Sequence, residues 1–142
     1  MKKVLIVNAN YYKKISFNLI KSAEAILKEK KIKFSLIEVP GIFEIPVTIK
    51  KNIKNFDAFV ALGCVIKGET PHFDLICRST FNAIMDISVE YSKPVGNGII
   101  TSHNMNQAIE RSSDEVDSAK SNKGLEAVKA VISVLNNEPK SR

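Results

Sequence analysis

With 142 residues, 44% of them hydrophobic and 25% charged, the chain has the size and balance of one ordinary globular domain. It is too apolar for disorder, and its apolar runs are of strand length, too short to cross a membrane. Cys64 and Cys77 have neither C-x-x-C spacing nor a histidine cluster beside them, so neither a disulfide scaffold nor a metal site is indicated, and a reducing cytoplasm is the plain inference. The net charge of +6 leaves open an acidic partner, lysine-rich helix surfaces or an anionic small substrate. The lysines are scattered through KEKKIK, KKNIKN and SAKSNK without interleaved aromatics, which argues against nucleic acid.

The opening MKKVLIVNAN has the charge and apolar run of a signal peptide, but the run is short and no small-x-small cleavage site follows. Lys2 to Val7 therefore reads as a first strand. Ile15 to Lys30 reads as a helix, with Leu19, Ile20, Ala23, Ile26 and Leu27 at helical spacing. Lys33 to Val39 is a second strand, PGIFEIP turns into a short helix ending near Asn52, and Ala58 to Ile66 is a nearly continuous apolar strand of the kind found inside parallel sheets. Leu75 to Tyr91 is helical, with Ile76, Thr80, Ala83, Ile84, Ile87 and Tyr91 on one face. Lys93 to Thr101 is a fourth strand, and helices from Met105 to about Ser112 and from Gly124 to Asn136 close the chain.

Strands alternating with helices imply right-handed crossovers and a parallel sheet covered on both faces. In such a fold the segments that follow the strands meet at the carboxyl edge, where ligands bind. Tyr11, Pro40 to Glu44, Lys67 to His72 and the region after Asn97 are expected at that rim.

Within it, Thr70-Pro71 has the chemistry of a helix start, with Thr70 as N-cap and Pro71 at the first helical position. The free N–H groups of such a turn suit an anion, and Gly68 would let the backbone approach it; a loop that merely turns the chain would carry the same residues. His72 falls in the first turn, where the helix dipole favours a neutral ring able to exchange a proton, and a solvent-exposed or loop-bonding histidine is the competing reading. His103, in TSHN, reads as a turn residue.

Other chemistries are excluded by what stands in their place. VNAN follows the first strand where a dinucleotide fold has GxGxxG, and there is neither a Walker lysine motif nor a GxSxG elbow. Asn8, Asn10 and Lys67 occupy the positions where a response regulator needs acids.

Four blocks, VPGIFEIP at 39–46, ALGCVIKGETPHFDL at 61–75, NGIITSHNMNQAIERS at 97–112 and NKGLEA at 122–127, resemble in sequence and order the signature blocks of the lumazine synthase family of riboflavin biosynthesis. The resemblance spans nearly the whole chain. It implies one domain over residues 1–142, a flavodoxin-like three-layer α/β sandwich with a four-stranded parallel sheet and helices on both faces.

The activity it implies is condensation of 5-amino-6-(D-ribitylamino)uracil with 3,4-dihydroxy-2-butanone 4-phosphate, without cofactor or metal, giving 6,7-dimethyl-8-ribityllumazine. By the same resemblance His72 is the proton-transfer residue. Glu69, Thr70 and Arg111 hold the phosphate, the arginine through its planar charged fork. Tyr11 stacks on the pyrimidine, Ile42, Phe43 and Glu44 bind its ring and ribityl chain, and the backbone of Cys64, Val65 and Ile66 reads its edge.

The family's site lies between subunits, so Asn97, Lys123 and Glu126 would come from a neighbour. Asn97 stands where many members have Phe. The segment SSDEVDSAKSN between Arg111 and Lys123 is longer and more acidic than the loop of the shell-forming members. A homopentamer is therefore expected, with no nucleic-acid or membrane partner. The alternative is a homologue that binds flavin or lumazine without turnover. A flavodoxin-like module for a nucleotide or a protein partner is a further reading.

Overall fold

The computed structural model describes residues 2–114 and 122–142. Four strands, β1 (Lys3–Ala9), β2 (Lys33–Val39), β3 (Ala58–Ile66) and β4 (Val95–Ser102), form a parallel sheet in the order β2-β1-β3-β4. Parallel neighbours need long crossovers, and helices supply them. These are α1 (Lys13–Glu29), α2 (Ile45–Lys51) after a 3-10 turn over Ile42–Glu44, and α3 (His72–Tyr91); α4 (Met105–Arg111) and α5 (Lys123–Leu135) follow β4.

The period-2 alternation of the strands divides the core in two. Val4, Ile6, Val60, Leu62 and Ile100 pack with residues of α1, α4 and α5 on one face. Leu5, Val7, Phe59, Ala61 and Ile99 pack with the 3-10 turn, α2 and α3 on the other. The result is the expected three-layer α/β sandwich. Among the described residues no helix is long and apolar enough to cross a membrane.

Close backbone approach fixes α5. A Cβ at Gly98 would lie 3.2 Å from the Ala127 Cβ, and one at Gly96 would collide with the Ala127 carbonyl. Likewise a Cβ at Gly124 would lie 2.5 Å from the carbonyl oxygen of Leu19, so α5 also presses on α1. Asn122 secures the entry to the helix. Its Oδ1 accepts from the N–H groups of Gly124 (2.8 Å) and Leu125 (3.1 Å), while its Nδ2 donates to the carbonyls of Ser112 (2.9 Å) and Ser113 (3.2 Å). One buried side chain thus caps α5 and ties it to the end of α4.

The strands Lys33–Val39 and Ala58–Ile66 have the bounds read from sequence, and the remaining elements shift by up to three residues. One correction bears on the site. Pro71, not Thr70, occupies the N-cap of α3, and the helix begins at His72. Thr70 Oγ1 accepts from the His72 N–H at a long 3.4 Å, and no side chain caps the helix. The proline stands one position earlier than its usual place at the first helical residue. Most of the acidic segment between Arg111 and Lys123, residues 115–121, lies outside the described residues.

Candidate active site

From the adjacent strands β1 and β3 the chain departs to opposite sides: β1 leads through α1 to β2, and β3 leads through α3 to β4. Their carboxyl ends mark a topological switch point, the place where open α/β sheets leave a crevice. A cleft of about 300 Å³ opens there. Tyr11 and Tyr12 from the β1 exit, Gly41 and Ile42 from the β2 exit, Cys64, Val65 and Ile66 from the end of β3, and His72 and Ile76 from α3 line it. Six residues singled out in the sequence, Tyr11, Ile42, Cys64, Val65, Ile66 and His72, therefore share one wall system although they come from four chain segments.

Packing beneath the cleft explains their positions. Ile42 is buried, and a Cβ on Gly63 would be only 2.9 Å from its Cγ2, so the 3-10 turn sits directly on the end of β3. Tyr11 is 74% exposed and meets Tyr12 edge to face, with ring centroids 4.9 Å apart. Tyr12 is half-buried and packs on the core cluster that includes Cys64. Burial, with Cys64 and Tyr11 nearby, raises the Tyr12 phenol above its ordinary value, so it stays protonated. Burial also pushes the Cys64 thiol up to about 11. A thiol so poorly ionised at neutral pH is a wall, not a nucleophile.

At the margin, Glu44 is half-buried, and a Cβ on Gly41 would lie 3.3 Å from its Oε1. Its carboxylate therefore stands beside a cleft-lining residue. Phe43, 63% exposed, is not among the lining residues. Lys67 to Pro71 form an exposed loop held at its start by Lys67 N–H donating to the Ser102 carbonyl (2.9 Å). Glu69 and Thr70 are on this loop, and a Cβ at Gly68 would meet nothing within 4 Å, so the space against the backbone is open.

Four other expected residues do not line the cleft. Asn97 lies mid-strand in β4 opposite Ala61, exposed, its Oδ1 accepting from the Ile99 N–H at 3.0 Å. Arg111 ends α4, half-buried. Lys123 and Glu126 form an i,i+3 ion pair of 3.5 Å in the first turn of α5. The Asn122 bonds to Ser112 and Ser113 hold the Arg111 end of α4 against the Lys123 start of α5. His103 is exposed in the turn before α4, its N–H donating to Gln107 Oε1 (2.8 Å). Gly41 falls within the Pro40 to Glu44 stretch expected at the rim, whereas Tyr12 and Ile76 carry no site role in the sequence, the adjacency of Tyr12 to Tyr11 at a strand exit being the available signal.

A parallel sheet with a cleft at its switch point, aromatic on one side and opening onto an uncapped helix start, defines a ligand-binding α/β protein of the doubly wound class. Comparison with known proteins narrows the class. The family described as 6,7-dimethyl-8-ribityllumazine synthase matches residues 1–138. Relatives bearing that name include one from Bartonella tribocorum, 40% identical over 93% of this chain and 87% of its own length. One from Campylobacter jejuni subsp. doylei is 41% identical over 94% and 88%, and one from Corynebacterium kroppenstedtii is 39% identical over 92% and 80%. The chain belongs to the 6,7-dimethyl-8-ribityllumazine synthase family.

Proposed function

We propose that the protein is a transferase of riboflavin biosynthesis that condenses 5-amino-6-(D-ribitylamino)uracil with 3,4-dihydroxy-2-butanone 4-phosphate to 6,7-dimethyl-8-ribityllumazine, phosphate and water. The observation that carries this reading is the cleft that gathers Tyr11, Ile42, Cys64, Val65, Ile66 and His72 at the switch point. In it the pyrimidine stacks on Tyr11, the end of β3 reads its edge through backbone groups, and the ribityl hydroxyls meet the 3-10 turn and the Glu44 carboxylate. The phosphate of the second substrate lies against the open backbone of the 68–70 loop and the first turn of α3, with the Thr70 hydroxyl as a further donor. Glu69 contributes backbone rather than charge there. Arg111 supplies the guanidinium that neutralises the phosphate.

His72 stands between the two substrates and exchanges protons as the amine adds to the ketone and as phosphate leaves. The amine is already nucleophilic and phosphate is a good leaving group, so most of the acceleration comes from holding both substrates in reacting geometry. Asn97, Lys123 and Glu126 reach the site from a neighbouring copy in a cytoplasmic homopentamer, each copy a single catalytic domain. Asn97, Lys123 and Glu126 lie outside the single-chain cleft, a placement that a site shared between subunits accommodates. The test is turnover: purified protein with both substrates should form lumazine well above the uncatalysed condensation, and Arg111→Ala should raise KM for the phosphate substrate more than for the pyrimidine. A folded oligomer giving no excess product would overturn the assignment.

A further inference from the structure

Tyr12 belongs to two cavities at once. The cleft of about 300 Å³ adjoins a second cavity of about 420 Å³ between the start of α1 and α4, and among the described residues Tyr11 and Tyr12 alone line both. The two tyrosines are not equivalent as a partition. Tyr11 is 74% exposed, whereas Tyr12 is half-buried, packed on the core cluster of Cys64 and buttressed edge-on by Tyr11. Its backbone is extended at the N-cap of α1 and its side chain makes no capping bond, so the ring is free of any duty to the helix end and is placed by packing. Beyond it the second cavity presents Ile15, Met105 and Ile109, with Asn18 and the exposed Lys13 and Lys14 around them. A largely apolar space of about 420 Å³, more than the volume of one aromatic ring, thus lies on the other side of Tyr12 from the cleft.

We propose that Tyr12 is a specificity-determining residue: its ring closes the cleft at the depth of a two-ring heteroaromatic and keeps out three-ring heteroaromatics bearing the same ribityl chain. The inference rests on the reading of the cleft as the site of a ribityl pyrimidine and its bicyclic product. Stacking surface and ribityl contacts are common to both ligand sizes, so discrimination has to come from the wall that the extra ring meets. Exclusion by a wall costs the smaller ligand nothing, which makes it an economical device for selectivity.

Riboflavin, a three-ring compound with a ribityl chain, is the probe, and quenching of its fluorescence is the readout. It is titrated against the unaltered protein, Tyr12→Ala, Tyr12→Leu and Tyr12→Phe, the leucine variant retaining apolar packing on the core should the alanine variant fold poorly. The expected result is binding at least about tenfold tighter in the alanine and leucine variants, and affinity at the unaltered level in the phenylalanine variant, which keeps the ring. Refilling the second cavity with Ile109→Trp on the Tyr12→Ala background should remove the gain. Equal affinity in all four proteins, tight binding by the unaltered protein, or a gain in Tyr12→Phe as large as in Tyr12→Ala would overturn the proposal. Lumazine formation by the same preparations is scored separately. If turnover is absent while the riboflavin series behaves as expected, the catalytic assignment falls and the wall stands.

Discussion

Asn8 is fully buried near the end of β1, on the face of Val4 and Ile6, with Leu62 opposite it on β3. Neither its Nδ2 nor its Oδ1 has a hydrogen-bond partner among the described residues. A desolvated amide in that position costs about 1–3 kcal/mol. Asn8→Val, a β-branched residue suited to a central strand, should therefore raise the urea midpoint by a corresponding amount with the slope unchanged. A drop in stability would mean that the amide has a use the fold does not reveal. At the rim, on the proposed reading of His72 as a proton carrier, His72→Ala should lower kcat by roughly ten- to a hundredfold rather than abolish turnover, because positioning survives its loss. Unchanged kcat with both substrates saturating would remove His72 from the chemistry. The two residues differ in how they could be read. His72 directly follows a proline that ends a glycine-containing loop, and the chemistry of that helix start is local, so the sequence points to it. Tyr12 acquires its importance only from two cavities formed by distant segments, and its adjacency to Tyr11 at a strand exit hints at the rim without showing either cavity.

Elements whose burial repeats along the chain were the legible ones. β3 is apolar at nearly every position because both its faces are covered, and its limits could be read without tertiary information. The start of α3 was harder, because His72 and Asp74 are exposed and add nothing to the helical stripe that begins at Ile76. The 3-10 turn that carries Ile42 into the cleft depends on contact with the end of β3, which no local pattern announces. Long-range bonds from a single side chain were likewise invisible. Asn122 looked like part of a family block, yet its four bonds join two helices across residues 115–121. Asn122→Ala should lower stability by about 1–2 kcal/mol through loss of the cap, measured by denaturant unfolding. On the proposed reading it should also weaken the phosphate substrate's apparent affinity, since Arg111 and Lys123 flank the staple. A variant with full stability and unaltered KM would show that the helix ends hold their places without it.

Taken whole, the single chain leaves apolar surface on the α2 and α3 side. Leu75, Met85 and Val89 lie on one flank of α3, 66%, 63% and 71% exposed, and Phe43 and Val47 are exposed nearby in sequence at the start of the preceding crossover. A surface of that kind is expected to be covered in an assembly. A homopentamer of the 15.8 kDa chain would have a mass of about 79 kDa by light scattering. Val89→Asp should shift that mass downward and reduce turnover with it, because the proposed site is completed by a neighbour. A monodisperse monomer with full turnover would exclude a shared site. The edge-to-face pair at the cleft has an optical consequence as well. The chain has no tryptophan and only three tyrosines, of which Tyr11 and Tyr12 line the cleft and Tyr91 ends α3. Two of the three tyrosines therefore stand at the cleft, and on the proposed reading its occupancy should change the tyrosine emission of the unlabelled protein.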